Sequence, residues 1–390
     1  MKILVLAPHP FFQNRGTPIA VRALLQALGE AGHAIDLATY HEGEDLALPG
    51  VRHHRIADIG VRGVRPGFSA KKLLCDVALT ARVLALVRTS RPDLVHAVEE
   101  AAFIALLLKR LLGIPFVYDM DSSLAQQLTE KYPRLRRIDG WLEAGERLAV
   151  RESLAVVAVC KSIEDTARSY DGEKPVLRLE DFSLLRTGQD ATPLAAEFAS
   201  VPRPRAMYVG NLEPYQGIDL LLGAFSRLVA AGGAGSLAVV GGEPADVERY
   251  AARARELGLA GRVLFAGSQP LRRLGAVLDQ ADVVVSPRIQ GRNTPMKIYS
   301  YLDSRKPLVA TRLETHTQLL DDSIACLVEP EPGAMAEALG RLFRDPREGA
   351  ALATRARARV EREFTFDAFR SKVTAFYDRV GRDLGAGGGD

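Results

Sequence analysis

Four stretches of the chain hold residue types able to handle an anionic, activated small molecule. The first is Pro8-His-Pro-Phe-Phe-Gln-Asn-Arg-Gly-Thr-Pro18. Gly16 lets a ligand approach the backbone, Thr17 reads as a helix N-cap and Pro18 as the first helical residue. A helix start so prepared offers free N–H groups to an anion or a sugar hydroxyl, although an ordinary capped helix has the same pattern. The second, Tyr208-Val-Gly-Asn-Leu-Glu-Pro-Tyr-Gln-Gly-Ile-Asp219, runs from an apolar segment into a loop with Gly210, Asn211 and Gln216. The third, Phe265-Ala-Gly-Ser268, presents Gly267 at a turn that a flat ligand could approach. The fourth spans residues 281–302 and carries Gly291, Asn293 and Thr294 toward a helix expected from Pro295. Arg288, Arg292 and Lys297 stand on or beside that loop. Backbone amides at a helix start with three nearby cations suit a diphosphate, and a solvated basic turn is the plain alternative.

The elements that must position these stretches follow from hydrophobic periodicity. Short apolar runs alternate with helix-period segments, the pattern of parallel βαβ units. Residues 3–8 form a continuous apolar run, as a strand buried on both faces requires, and residues 35–40, 94–97, 116–118 and 154–159 repeat it. Helices are expected over 19–32, 70–91 and 138–152, with Pro92 and Pro115 ending helices just before strands. A second series predicts strands at 206–209, 237–240, 263–266, 283–286 and 308–310. Its helices are expected at 220–231, 245–257, 271–280, 296–302 and 335–343. The expected organisation is an N-terminal Rossmann-like domain over 1–184, a linker over 185–204 and a C-terminal Rossmann-like domain over 205–365. A helix at 366–384 is expected to pack on the first domain, and 385–390 to be a disordered tail. The fold class is thus α/β, with two doubly wound parallel-sheet domains facing a central cleft. Such sheets bind ligands beyond the carboxyl ends of their strands. A two-substrate enzyme and a hinged binding protein both fit.

Composition narrows the classes. A length of 390 residues suits two domains. The chain is 25% charged and 47% apolar, the balance of a soluble globular protein. A net charge of +3 makes no case for nucleic acid. Cys75, Cys160 and Cys326 lie far apart among apolar neighbours, so neither disulfides nor a metal site are expected, and a reducing compartment follows. The opening apolar run is too short for a signal peptide, and no uncharged stretch reaches the roughly 20 residues of a membrane span. The expected location is the cytoplasm.

Taken in order, several motifs carry a family resemblance. They are the opening strand and Gly loop, Arg91-Pro-Asp-Leu-Val-His96, Gly113-Ile-Pro-Phe-Val-Tyr-Asp119 and Val209-Gly-Asn-Leu-Glu213. Gln216-Gly-Ile-Asp219, the 281–311 block and Glu363-Phe-Thr-Phe366 follow. Over nearly its whole length the chain resembles the retaining glycosyltransferases of family 4. The resemblance implies the GT-B fold. It also implies transfer of a sugar, with retention and without metal or cofactor, from a nucleotide-diphosphate sugar to a glycan or lipid-linked acceptor. The donor would lie on the C-terminal domain and the acceptor on the N-terminal one. The departing diphosphate would help deprotonate the acceptor, while the protein positions the reactants and stabilises the leaving charge.

The implied donor-binding set is Gly16, Thr17, Gly210, Asn211, Gln216, Gly267, Arg288, Arg292, Asn293, Thr294, Lys297 and Ser300. Departures from the family are concentrated there. Asn211 and Gln216 replace two cations on the diphosphate, and Arg292 and Ser300 replace two glutamates, the second of which grips the ribose. Arg288, Arg292 and Lys297 are expected to offset the lost charge. Asp121 stands where the family usually has a His aimed at the transferred sugar. It would accept a hydrogen bond from a sugar hydroxyl or stabilise oxocarbenium-like charge, or else cap a helix near Ser122. His96 and Glu100 are further catalytic candidates at a strand end, where orienting the acceptor and capping are equally open.

Residues 52–72 carry six Arg/Lys (52, 55, 62, 65, 71, 72) against Asp58, with Val61, Val64 and Phe68 interleaved; residues 131–137 hold a second basic cluster. Such patches suit either an anionic membrane surface or solvated loops. The first would make the acceptor lipid-linked and the protein peripheral on the inner face of the cell membrane. The expected function is transfer in the assembly of a cell-surface polysaccharide or glycolipid. The replaced glutamates and His keep open a catalytically silent relative that binds a partner. An epimerase or phosphorylase on the same fold is the remaining alternative.

Overall fold

A computed structural model describes residues 1–13, 16–45, 47–64, 69–123, 139–185 and 198–386. The chain divides into two compact units, Met1–Glu180 with Asp367–Asp390, and Asp181–Phe366.

The first unit runs β1 (Lys2–Ala7), α1 (Gly16–Glu30), β2 (Ala34–Thr39), β3 (Val51–Arg55), α2 (Ala70–Ser90) and β4 (Leu94–Val98). It continues with α3 (Ala101–Leu112), β5 (Phe116–Met120), α4 (Asp139–Glu152), β6 (Ala155–Ala158), α5 (Lys161–Tyr170) and β7 (Val176–Arg178). All seven strands are parallel, in the order β3-β2-β1-β4-β5-β6-β7. The central strands are apolar throughout because helices cover both faces. Val95 and Ala97 of β4 meet the core under α2, α3, α4 and α5. Two helix ends carry recognisable caps: Ser69 Oγ accepts the Lys72 amide to start α2, and Gly113, at φ 72°, ends α3.

The second unit runs β8 (Arg205–Val209), α6 (Ile218–Ala230), β9 (Ser236–Val240), α7 (Pro244–Glu256), β10 (Val263–Gly267), α8 (Leu274–Asp279) and β11 (Val283–Ser286). Then come α9 (Lys297–Asp303), β12 (Leu308–Thr311), α10 (Glu314–Thr317), β13 (Cys326–Val328), α11 (Pro332–Arg344) and α12 (Pro346–Glu363). Its parallel sheet has the order β10-β9-β8-β11-β12-β13. Alternation along β8 sends Ala206 and Tyr208 into one core and Met207 into the other.

The last helix, α13 (Phe366–Ala386), belongs to the first unit. Arg370 and Lys372 pair with Glu30 and Glu180, each at 3.1 Å. Its deeper anchor is polar. His96 of β4 points away from Val95 and Ala97, and its Nε2 lies 3.0 Å from Asp119 Oδ2. A carboxylate only accepts, so Nε2–H donates and Nδ1 is left to accept from the Tyr377 hydroxyl at 2.5 Å.

Several elements depart from expectation. The edge strands β3 and β7 lack the continuous apolar run that marks a central strand, whereas β13 lies in one, 324–328, that the sequence analysis passed over. β3 reads Val-Arg-His-His-Arg, and Arg52 and His54 both reach Asp36 of β2, at 2.8 and 2.7 Å. The 271–280 segment is a 3₁₀ turn, Leu271–Arg273, followed by the shorter α8. Residues 198–204, expected as linker, are fastened: Arg205 Nη2 donates to the carbonyls of Phe198 and Val201 at 2.7 Å each. Residues 186–197 of that linker, the basic cluster at 131–137, Arg65 and Phe68, and residues 387–390 of the tail lie outside the described residues.

Replacing Tyr377 with Phe leaves a buried ring nitrogen without its donor. The expected cost is about 1–3 kcal/mol of stability, read from denaturant unfolding monitored on the first unit.

Candidate functional site

Each sheet has one place where neighbouring strands lead their chains in opposite directions, β1 beside β4 in the first unit and β8 beside β11 in the second. Loops diverge there and leave a crevice beyond the strand ends.

In the second unit the loops after β8 and β11 are tied together. The Ile289 amide donates to the Tyr215 carbonyl at 3.0 Å, and the Arg288 guanidinium lies 5.1 Å from the Tyr215 ring centre. Gly217, at φ 76°, touches Pro287 so closely that a Cβ would fall 1.9 Å from its carbonyl oxygen. The end of β8 is clamped by Tyr301 of α9, whose hydroxyl accepts from Val209 N at 2.6 Å and donates to Val209 O at 3.1 Å.

Lys297 occupies the centre of this arrangement. Its Nζ donates to Gln216 Oε1 at 3.0 Å and lies 3.9 Å from the centre of the Tyr208 ring. Gly210, at φ 154°, covers it: a Cβ there would meet Nζ at 2.8 Å and the Tyr208 hydroxyl at 2.9 Å. Burial, and next the charge of Arg288, hold the amine well below the usual lysine range. Among the described residues no carboxylate is placed to pair with it. A desolvated amine with one neutral acceptor and an aromatic face lacks a counter-charge for its protonated form, and an incoming anion would supply it.

The other cations have different positions. Arg288 is buried and braces its own loop: Nε donates to Gln290 O at 2.8 Å, and Nη1 to Asn293 O at 3.0 Å and to Thr315 Oγ1 at 3.1 Å. Its guanidinium therefore shapes the cradle and adds positive field, a correction to its expected place on the diphosphate. Arg292 is exposed, its carbonyl accepting from Gln318 Nε2 at 2.6 Å. Thr294 is buried and Asn293 half-buried. Asn211 is exposed, its carbonyl accepting the Tyr208 hydroxyl at 2.5 Å. Open space stands over Gly267.

Ser300 is a second correction. It is 1% exposed, and its Oγ accepts from the Leu184 amide at 3.1 Å, so it fastens the 181–185 segment and is out of a ribose's reach. The helix expected over 296–302 is α9, displaced by one residue to Lys297–Asp303. Thr311, Ser286 and His316 escaped the sequence reading. His316 bridges Ser286 Oγ (2.9 Å) and Thr311 O (2.8 Å), and burial pushes its pKa down to about 4, so this neutral ring ties the ends of β11 and β12.

In the first unit, Gly16 opens α1, so Thr17 lies within the first turn rather than capping it. A Cβ at Gly16 would meet nothing within 4 Å. His96 does not face a crevice: it is fully buried, with both nitrogens engaged as described above. This corrects its catalytic assignment, and the cause is strand alternation, which turns residue 96 to the α13 side. Asp121 follows β5 directly and is half-buried; the capping role expected for it falls on residues 124–138, which lie outside the described residues.

Glu100 sits in a cluster that the sequence showed only in part. Lys72 Nζ lies 2.5 Å from Glu100 and 3.8 Å from Glu99. Burial and then Glu99 raise the Glu100 pKa to about 8 against the pull of Lys72. Asp76, raised by burial to about 6, accepts the Tyr40 hydroxyl. Glu99 itself holds φ 49°, an uncommon conformation for a residue with a side chain, at the carboxyl end of β4. Beside them His9, its Nδ1 against Pro10 O at 3.1 Å, is lowered to about 4 by burial. Acids and a lysine separated by tens of residues leave no spacing motif, which is why Asp76 and Tyr40 went unseen and Lys72 was read only as one cation of the 52–72 patch.

The cations of residues 52–72 are largely engaged by the chain itself. Arg52 meets Asp36, Arg55 the carbonyls of Phe11 and Glu44, Arg62 Asp58, and Lys71 the Arg62 carbonyl. The expected basic membrane patch is thereby reduced.

Known proteins share this architecture. Residues 15–179 match the family described as Glycosyl transferase 4-like domain, and residues 203–345 the family Glycosyl transferases group 1. Alpha-D-kanosaminyltransferase of Streptomyces kanamyceticus is 26% identical over 295 residues, covering 72% of this chain and 75% of its own. Sucrose-phosphate synthase from Thermosynechococcus elongatus superposes with a TM-score of 0.81 at 19% identity, over 98% of this chain and 99% of that one. HepE of Anabaena, in complex with UDP-glucose, does so with a TM-score of 0.75 at 17% identity, over 97% of this chain and 100% of that one. With two parallel α/β units and both family matches in their proper order, this chain belongs to the glycosyltransferases of the family 4-like type, with the GT-B fold.

Proposed function

We propose that this glycosyltransferase takes its sugar from a nucleotide-diphosphate sugar held by the second unit and transfers it, with retention and without a metal ion. The acceptor is a hydroxyl of a glycan or glycolipid held by the first unit, in the assembly of a cell-surface polysaccharide or glycolipid. The observation that carries this reading is Lys297, a buried amine with no carboxylate partner among the described residues, beneath Gly210 at the switch point. A diphosphate oxygen supplies the missing anion, and the same contact strengthens as the leaving group gains charge. Tyr208, Gln216 and Arg288 hold the amine and its loop in place beforehand. In the first unit, Glu100 and Asp121 are the groups that accept from the acceptor hydroxyl. Asn211, Gln216 and the buried Ser300 leave the diphosphate to Lys297 and the ribose to backbone groups. The UDP-glucose bound by HepE makes UDP the first nucleotide to try.

A thermal-shift screen of nucleoside diphosphates with EDTA tests the donor reading. One nucleotide at about 100-fold over its dissociation constant should stabilise by about 2.7 kcal/mol. Lys297→Met should weaken that binding by about 1.5–3 kcal/mol. Gly210→Ala, which thrusts a Cβ at the amine, should act in the same direction. A full set of nucleotides without any shift would reject a nucleotide donor, and the anomeric configuration of the product, read by NMR, decides retention.

The depressed Lys297 pKa has a thermodynamic signature. Anion binding favours the charged amine, so the nucleotide should bind with net proton uptake, and its affinity should fall as pH rises. Calorimetry in buffers of different ionisation enthalpy measures that uptake; Lys297→Met should lose it.

Glu100 predicts the opposite partition in the first unit. Its folded pKa, about 8, lies above the ordinary 4.5, so the folded state binds more protons between those values. Stability from this group is full below pH 4.5 and declines as pH rises toward 8. Glu100→Gln should flatten that part of a melting-temperature profile, while an unchanged profile would place the titration elsewhere.

A further inference from the structure

At the carboxyl ends of the neighbouring strands β1, β4 and β5, the first unit keeps polar atoms buried without a partner. Tyr118 of β5 is 0% exposed, yet its hydroxyl has no hydrogen-bond partner among the described residues. Burial, then the charges of Glu146, Glu99 and Glu100, raise its pKa well above the usual tyrosine range, so the hydroxyl reaches toward the carboxylates that follow β4. Ser122, just beyond β5, is buried with its Oγ likewise unpartnered. His9, just beyond β1, makes one hydrogen bond. A carbonyl only accepts, so Nδ1–H donates to Pro10 O, and the neutral ring keeps a lone pair at Nε2, which is buried and unpartnered. Each buried polar atom left unpaired costs about 1–3 kcal/mol. Three of them at adjoining strand ends point to a ligand that pairs them.

Lone pairs outnumber donors there. Lys72 is the cation that acts on both His9 and Glu100, and its Nζ already meets Glu100 and Glu99. Glu99, an ionised Glu100 and His9 Nε2 can only accept. A sugar hydroxyl brings one donor and two lone pairs of its own, so among these atoms it would set acceptor against acceptor. An ammonium brings three donors, no lone pair and the positive charge that three carboxyls around one lysine lack. The raised Glu100 pKa, caused by burial and then by Glu99, reflects the same shortage of positive charge. No group of three or more His, Cys, Asp and Glu side chains among the described residues is placed to hold a metal ion, which favours an ammonium as the cation.

We propose that the crevice at these strand ends binds a primary ammonium carried by the acceptor, which makes an amino sugar the preferred class of acceptor. Glu99, Glu100 and His9 Nε2 receive its N–H groups, and the Tyr118 hydroxyl, free to donate or accept, closes the site. A carboxylate has about four lone-pair positions, so Glu100 can meet Lys72, the ammonium and a hydroxyl of the same sugar together. The inference rests on the reading that the first unit holds the acceptor, and it asks nothing of the donor chemistry.

Saturation-transfer NMR with glucosamine, N-acetylglucosamine and glucose, at neutral pH and without nucleotide, tests it. Glucosamine should bind at least about tenfold more tightly than the other two, as charge-assisted hydrogen bonds predict. Glu100→Gln should shrink that preference to within about threefold. Tyr118→Phe separates binding from structure, because the hydroxyl it removes has no partner to lose in the free protein. Its glucosamine affinity should drop about fivefold while its melting temperature holds or rises. Glucosamine that gives no signal, or binds no better than glucose, overturns the proposal. A preference shared by N-acetylglucosamine, which keeps the ring without the charge, would assign the site to the ring and overturn it too. So would Tyr118→Phe protein that binds glucosamine as wild type does. Thermal shifts with nucleoside diphosphates on the same samples keep the two readings apart. A nucleotide shift without amine preference rejects this inference alone, and amine preference without a nucleotide shift rejects only the nucleotide donor.

Discussion

The amine of Lys297 stands where water has been largely removed, and the second unit's loops are arranged around it. Its stem enters beneath the β8 loop only because residue 210 has no Cβ to block it. The β8 loop can then reach the β11 loop only because residue 217 has none either. Tyr301 fixes the last peptide of β8, Arg288 braces the β11 loop from inside, and His316 joins the ends of β11 and β12. These contacts hold the backbone so that one amine keeps a fixed position with no carboxylate partner among the described residues. Gln216 and the Tyr208 ring offset part of the desolvation, and the remainder appears as a depressed pKa. An anionic ligand gains affinity from that remainder, because binding relieves a cost already present in the free protein.

This separation of roles explains what the sequence could and could not reveal. Arg288, Arg292 and Lys297 are equivalent as letters near a loop. In three dimensions one braces, one lies exposed and one waits for an anion. The distinction depends on side-chain direction across a loop and a short helix, which spacing does not encode. Ser300 shows the same limit. Its position in the motif suggested a ribose contact, while its helix face turns it to the Leu184 amide. The central strands were legible for a simple reason: a parallel strand covered by helices on both faces is apolar at every position. Edge strands such as β3 are covered on fewer sides and can be written in Arg and His, provided a buried partner such as Asp36 receives them.

His96 illustrates how alternation overrides a motif. Its neighbours in sequence, Val95 and Ala97, face one helix layer, so residue 96 must face the other. There the last helix supplies Tyr377, and β5 supplies Asp119, completing a polar triad in an otherwise apolar setting. Such a triad is costly unless every member is satisfied, and here both ring nitrogens are. It binds residues nearly three hundred positions apart into one unit. The helix's sequence alone gives no hint of this, since a Tyr at a buried helix position reads as core.

The two units differ in the sign of the charge they hold near their switch points, and that difference sorts substrates. The second unit presents the Lys297 amine with no carboxylate beside it among the described residues; the first presents Glu99, Glu100 and Asp76 around a single lysine. A diphosphate would gain at Lys297 and would be repelled by the carboxylate cluster. A neutral sugar hydroxyl has the opposite preference, since Glu100 and its neighbours offer acceptors for its proton. Burial keeps part of the cluster protonated near neutrality, so it can both donate and accept without a large charge penalty. Under the proposed function, each unit therefore selects its substrate by charge before any chemistry begins. Glu99, at φ 49°, and Gly210, at φ 154°, each take an uncommon backbone conformation at a strand end beside these groups.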